Sequence, residues 1–328
     1  MEREDQILLD KAQVSFPVAS RPYAVLAELA GISEDEALTR IRRLRGQGMI
    51  RRLGGVFDSR RLGYFSTLCA AKVPADKISP LAGLLEQQPG VTHNYLRTHA
   101  YNMWFTLMAS TQSKAESLLA DIREQSGIRE IFSLPALRVF KIYVQFQFRQ
   151  DAPAAIPAPP LPEQALRPMQ RTPERIALIR QLQEDLPDGL TPYALLAERL
   201  GSQENDVLRL VADLLREGVI RRFGAVLRHQ QAGFTANVMG VWQVPEAQVE
   251  KTGLLMRDFP EVSHCYQRPT LPDWPFNLFT MIHGRTPEDC AQVMNKIALA
   301  TGIRDHDALT SVAELKKTSM KYFMAEEA

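Results

Sequence analysis

The string PYAVLAE at residues 22–28 returns 170 positions later as PYALLAE at residues 192–198, and this repetition decides the fold. At the same offset Ile50-Arg51-Arg52-Leu53-Gly54 meets Ile220-Arg221-Arg222-Phe223-Gly224, and Gly63 meets Gly233. Between residues 22 and 64, 17 of 43 positions are identical, so the chain contains two copies of one unit. Further on the offset becomes 171, where His93-x-Tyr95-x-Arg97 meets His264-x-Tyr266-x-Arg268. It then reaches 175, where Tyr101-Asn102 meets Phe276-Asn277 and Leu134 meets Leu309. The drift places a short insertion, residues 271–275, in the second half only. Residues 149–171, between the copies, carry six prolines and little periodicity, which predicts an extended, semi-rigid linker.

Each copy divides again. Residues 22–31 read as a compact apolar helix that begins at proline and stops at glycine. Ser33-Glu34-Asp35-Glu36 has the form of a capping box, and Ala37, Leu38, Ile41 and Leu44 follow at helical spacing. Residues 49–57 then read as a short strand pair, which makes the segment a winged helix-turn-helix. In the second copy Thr191 precedes the helix at 192–200, and Val207, Leu208, Val211 and Leu214 form the next stripe. After each wing the period changes. Residues 65–73 are strand-like, 76–88 helical, 91–97 and 102–109 strand-like and 114–125 helical, with a last strand within 128–140. That βαββαβ order predicts an antiparallel sheet with two helices on one face, repeated from 236 to 315. The fold class is therefore α+β: two repeats, each a winged helix-turn-helix plus a ferredoxin-like layer. The expected boundaries are 1–64 and 65–148, a linker at 149–171, then 172–234 and 235–328. Each layer has one face without helices, so the two halves are expected to pair as a pseudo-dimer with these faces together.

Composition narrows the chemistry. The 39 Lys+Arg against 38 Asp+Glu leave a net charge of +1, which gives no global field for steering onto nucleic acid or an anionic membrane. Three cysteines without CxxC spacing fit a reducing compartment and exclude a cysteine-held iron–sulfur or zinc site within one chain. No signal peptide is read at the N-terminus and no stretch approaches a membrane span, so a soluble cytoplasmic protein is expected. GxGxxG, P-loop, HExxH and GxSxG motifs are all missing. What remains is acid–base chemistry by histidine, tyrosine and arginine on a carboxylate-rich, planar substrate. No metal site is expected.

Four of six histidines, His93, His99, His264 and His283, lie in corresponding regions of the two layers. Strand residues at i, i+2 and i+4 share a face, so His93, Tyr95 and Arg97 project together, as do His264, Tyr266 and Arg268. His99 joins the first set if its strand continues. An imidazole that exchanges protons near neutrality would then stand beside an aromatic plane and a guanidinium fork for carboxylates. Tyr101 and Trp104 in one half and Trp274 in the other are candidates to cover a flat ligand. Trp274 sits on a proline-rich flap at 268–276. The wing pairs Arg51-Arg52 and Arg221-Arg222 meet phosphates in a regulator and substrate carboxylates in an enzyme. Glu34-Asp35-Glu36 and Glu204-Asn205-Asp206 open the helices that would read DNA, and they repel a phosphate backbone.

A helix-turn-helix followed by a ferredoxin-like layer resembles the Lrp/AsnC family of regulators. More specifically, His93-Asn-Tyr-Leu-Arg-Thr-His-Ala-Tyr-Asn-Met-Trp-Phe105 resembles one branch of the siroheme decarboxylases. His264-Cys-Tyr-Gln-Arg-Pro-Thr-Leu-Pro-Asp-Trp-Pro-Phe-Asn-Leu-Phe279 resembles the other, as in the fused NirD–NirL type of haem d1 biosynthesis. The resemblance implies removal of carbon dioxide from the acetate side chains at C12 and C18 of siroheme, with no cofactor beyond the iron-containing substrate. It implies His93, His99 and His264 as acid–base groups, with Tyr95, Arg97, Tyr101, Trp104, Tyr266, Arg268, Trp274 and the wing arginines Arg51, Arg52, Arg221 and Arg222 on the substrate. Thr270 stands near where a second-half partner of His99 would be, so the halves differ. The competing expectations are a DNA-binding regulator sensing haem or an amino acid, and a tetrapyrrole carrier. Further oligomers or related decarboxylase subunits are additional partners the resemblance allows.

Overall fold

The computed structural model describes residues 1–142, 168–227 and 236–324, so the linker at 149–171 lies outside the described residues except for its last four. The first half runs α1 (Arg3–Val14), α2 (Pro22–Ala30), α3 (Glu34–Gly46), β1 (Ile50–Phe57), β2 (Phe65–Ala71), α4 (Ile78–Glu86), β3 (Val91–Arg97), β4 (Met103–Ala109), α5 (Gln112–Ser126), β5 (Ile131–Pro135) and β6 (Arg138–Ile142). The second runs α6 (Pro173–Leu182), α7 (Pro192–Leu200), α8 (Glu204–Arg216), β7 (Ile220–Leu227), β8 (Ala236–Trp242), α9 (Val249–Arg257), β9 (Val262–Gln267), β10 (Leu278–Gly284), α10 (Pro287–Thr301) and β11 (His306–Lys317).

Pro22 and Pro192 start their helices, and Gly31 and Gly201 end them in the left-handed conformation. Ser33 accepts from the Glu36 amide, but the Glu36 carboxylate pairs with Arg40, so only half of the expected capping box forms. The expected strand pair at 49–57 is a single strand, β1, and its partner is β7 of the other half, with Gly54 opposite Gly224. The ribbon is thus shared between copies. It explains the repeated Ile-Arg-Arg-x-Gly string. Arg52 donates to the carbonyls of Leu182 (3.1 Å) and Glu184 (3.3 Å), and Arg222 to those of Gln13 and Ala225. A Cβ on Gly54 or Gly224 would collide with carbonyls of Leu182 and Glu184 or of Ala12. The second arginine and the glycine therefore clamp the first helix of the opposite half onto each wing. This corrects the expectation that Arg52 and Arg222 hold substrate.

The helix-turn-helix surface is similarly occupied. In α3, Arg40 and Arg43 pair with Asp5, Arg42 with Asp188 and Arg45 with Asp185. In α8, Arg209 and Arg216 pair with Asp206 and Asp213. Each of these guanidiniums must break an ion pair before it meets a phosphate. The expected outcome is only weak, salt-sensitive retention of duplex DNA. Nanomolar, sequence-specific binding in a gel at roughly 150–200 mM salt would refute this.

Both ferredoxin-like layers have the expected internal order, β5-β2-β4-β3 and β11-β8-β10-β9. The last strand of each half does not stop there. β6 continues from β5 onto the far edge of β9, and the second part of β11 runs onto β3, so the layers merge into one sheet of order β5-β2-β4-β3-β11-β8-β10-β9-β6. The helices α4 and α5 cover the outside of one layer through Leu81, Leu85, Leu119 and Ile122, and α9 and α10 cover the other through Met256, Val293 and Ile297. The uncovered faces meet, with Trp104, Leu134, Met239, Val241, Phe279 and Leu309 buried between them.

Candidate active site between the sheets

The inner face of each layer is fixed by register. Tyr95 lies opposite Trp104 and Tyr266 opposite Phe279, and the Trp104 and Phe279 rings meet at 6.3 Å across the two layers. The two His-x-Tyr-x-Arg strings therefore look into the space between the sheets. Each forms a column. His93 stacks on Tyr95 (6.4 Å, 21°) and Arg97 sits over Tyr95 at 5.2 Å, while His264 stacks on Tyr266 (6.0 Å, 28°) and Arg268 sits over it at 4.7 Å.

Both histidines stand at a β-bulge. The ladder slips between Val91 and His93 on β3, and at His264 on β9, so one extra residue is accommodated each time. Adjacent strand side chains normally point to opposite faces. At the bulges they meet: His93 Nδ1 lies 3.0 Å from Thr92 Oγ1, and His264 Nδ1 2.9 Å from Ser263 Oγ. Ser263 Oγ also lies 3.1 Å from the carbonyl of Met281, and when the hydroxyl proton is given there the imidazole of His264 donates from Nδ1. Its Nε2 then carries the lone pair. Thr92 has no such fixed commitment to a carbonyl, and His93 is free to take either tautomer.

Burial pushes His93 down to about 4, helped by Lys317 and Arg51 and opposed by Glu314. Burial pushes His264 down to about 3, helped by His283, Arg221, His93 and Arg268. Both rings are neutral at pH 7, and His264 is near enough to His93 to feel its charge. The unfolded chain binds protons near pH 6.5 and the folded one does not, so stability is whole above that value and is lost as pH falls toward 4 and below. At the acid limit the loss is on the order of 3 kcal/mol for His93 and about 5 kcal/mol for His264. Denaturant unfolding of the ligand-free protein is expected to show this slope, and replacing both histidines with glutamine should flatten it. An unchanged slope would mean that the rings are not buried as neutral groups.

The wing arginines divide by position. Arg51 and Arg221 are exposed; Arg51 donates to Ser319 Oγ and Arg221 to the Phe57 carbonyl, and their charges reach His93 and His264 with Tyr266 respectively. Arg97 and Arg268 are deeper and serve the seam where strands change partners. Arg97 donates to the Leu309 carbonyl of the second half at 2.8 Å, and Arg268 to the Leu134 carbonyl of the first. Burial lowers both to about 10. The fork expected to grip carboxylates is thus partly spent on main chain.

His99 is not on the face of His93. β3 ends at Arg97, and His99 lies in the following turn, where its Nδ1 accepts from the Tyr101 amide at 3.0 Å and its ring packs edge-on to Trp274 at 5.1 Å. Tyr101, Trp104 and Trp274 are buried together with Phe279. The flap closes on itself through reciprocal Leu271–Trp274 main-chain bonds, and Asp273 ties it to Tyr101 (2.7 Å) and Lys72. These three rings plug one end of the space between the sheets and present no open face to a ligand. His283, to which the sequence reading gave no role, lies on the inner side of β10 with Phe279 and Met281, and at the same offset the first half has Met108. Glu314 and Lys317, brought to β3 from the other half, carried no sequence signal that would place them there.

Residues 61–141 and 231–316 match the AsnC-like ligand binding domain, and residues 5–51 and 176–221 the siroheme decarboxylase NirDL-like HTH domain. A siroheme decarboxylase of Hydrogenobacter thermophilus is 35% identical over 327 residues, 99% of this chain and 97% of that protein. A siroheme decarboxylase beta subunit of Methanosarcina barkeri is 46% identical over 146 residues, 44% of this chain and 96% of its own length. The crystal structure of the siroheme decarboxylase NirDL with an iron-uroporphyrin III analogue superimposes with a TM-score of 0.75 at 32% identity, covering 99% of this chain and 96% of that one. Similar over nearly its whole length, and in both repeats, to these proteins, the chain belongs to the NirDL-type siroheme decarboxylase family.

Proposed function

We propose that the chain is a carboxy-lyase that removes carbon dioxide from the C12 and C18 acetate groups of siroheme, in the cytoplasm, on the route to haem d1. The observation that carries this reading is the pair of bulges that hold neutral His93 and His264 on facing inner sheets, beside exposed Arg51 and Arg221. Exposed arginines whose charges reach the histidines suit a macrocycle rimmed with carboxylates. The siroheme iron arrives with the substrate, and the reading assigns the protein no cofactor of its own. Its three cysteines are buried and unpaired, which fits a reducing compartment.

Each decarboxylation converts a CH₂–COO⁻ group plus one proton into CH₃ and CO₂. The electron pair of the broken C–C bond passes into the conjugated ring and ends in the new C–H bond. The residues' task is to hold the carboxylates and deliver that proton. His264 begins neutral, mainly because it is buried, and the negative charge of the substrate offsets the nearby cations Arg221 and Arg268 and so favours the protonated ring. It then takes up a proton at Nε2 and stands ready to give it back to carbon. Anaerobic incubation with siroheme followed by mass analysis tests the reading: loss of two carboxyl groups is expected. Tight binding with unchanged mass would make the protein a carrier, and specific DNA retention would make it a regulator.

A further inference from the structure

We propose that Glu314, which the second half lends to the first, closes the His93–Tyr95 copy to substrate carboxylates and leaves the His264–Tyr266 copy to take them. This rests on the decarboxylase reading and sharpens which of two near-identical columns meets the reacting groups.

The crossing strands are equivalent in frame and unequal in chemistry. On β11, Glu314 lies opposite Tyr95 and Lys317 opposite His93. On β6, the corresponding places opposite Tyr266 and His264 hold Val139 and Ile142. The frame itself is conserved between the copies. Lys316 donates to the carbonyls of Leu85, Glu86 and Gln88 at the end of α4, as Lys141 donates to that of Phe259 beyond the end of α9. The difference is therefore local to the side chains that flank the two columns.

Its effect is on the tyrosine hydroxyls. Tyr95 donates to Glu314 Oε2 at 3.2 Å, and Lys317 donates to the same oxygen at 3.2 Å. The phenol proton of Tyr95 is thus already committed to an anion, and a second carboxylate approaching it meets the first. Like charges at this range in a half-buried setting repel strongly. Tyr266 makes no hydrogen bond among the described residues, and the residues of β6 opposite it and His264, Val139 and Ile142, are apolar. A substrate carboxylate there finds an open hydroxyl, Arg221 nearby and the lone-pair side of His264.

The test is titration of iron uroporphyrin III into the full chain, followed by its absorbance, with thermal unfolding of every variant as a check on folding. Tyr266→Phe is expected to weaken binding about tenfold, the loss of one hydrogen bond to a charged group, while Tyr95→Phe changes it less than twofold. Glu314→Val, which copies the second half, and Glu314→Gln, which keeps a polar group without the charge, are expected to bind about tenfold more tightly. In the Glu314→Val background Tyr95→Phe becomes costly. Equal losses from the two tyrosine variants in the wild-type chain, or no coupling between positions 95 and 314, would overturn the role of Glu314 alone. No binding of iron uroporphyrin by any variant would count against the decarboxylase reading and against this inference together.

Discussion

Replacing His264 with alanine is expected to slow single-turnover decarboxylation of siroheme by about 10²–10⁴-fold, the usual worth of a positioned general acid. Binding of the macrocycle should change little, since arginines and the apolar walls hold it. Ser263 is what selects the tautomer of this ring. With Ser263 donating to the Met281 carbonyl, His264 Nδ1 donates to Ser263 and Nε2 is left as the nitrogen that exchanges a proton. Ser263→Ala is a milder version, because it leaves the imidazole in place and frees its tautomer. His93→Ala is expected to cost less than His264→Ala, because Glu314 and Lys317 flank that ring. Single-turnover rates with binding measured in parallel decide this. Wild-type rates in His264→Ala would take histidine out of proton delivery in this copy.

Replacing Trp274 with alanine is expected to cost about 3–5 kcal/mol of stability, as for other large aromatic-to-alanine truncations in packed cores. The ring is only 1% exposed and touches Trp104 at 5.2 Å, Tyr101 at 5.4 Å and Phe276 at 5.0 Å. A ring held this way is part of the packing between the halves rather than a cover laid over a ligand. The change appears as a lower denaturant midpoint at unchanged slope. Unaltered stability with lost iron uroporphyrin binding would return Trp274 to the role of a stacking surface.

The repeat made the layered architecture readable, because Pro, Gly and the change of hydrophobic period mark element ends locally. The pairing of β1 with β7 was not readable. Ile50–Phe57 has the same residues whether its neighbour is its own hairpin arm or the other copy, and only the carbonyls of Leu182 and Gln13 reveal why Arg52 and Arg222 are there. α1 and α6 escaped notice because only Leu8, Leu9 and Ala12, or Leu178, Ile179 and Leu182, form their short apolar faces. In the site, period-two spacing brought His93, Tyr95 and Arg97 onto one face. It also carried that face on to His99, beyond the end of β3, and hid the bulges that bring Thr92 and Ser263 beside the imidazoles. Glu314 is 219 residues from Tyr95, and no spacing rule reaches that far.

The exchange of last strands gives the chain a property that a pair of separate subunits cannot have. Each half keeps its own four strands, but the edge of β3 is unpaired without β11 and that of β9 without β6. Separation of the halves therefore strips a paired strand from the edge of each layer. For two free subunits exchanging strands in this way, that event depends on dilution through mass action. With both copies on one polypeptide, encounter is intramolecular at an effective concentration set by the connecting segment. The fused chain is bound to assemble one first half with one second half at any dilution, so the like-with-like pairs that would put two Glu314-type or two Val139-type walls together are never favoured.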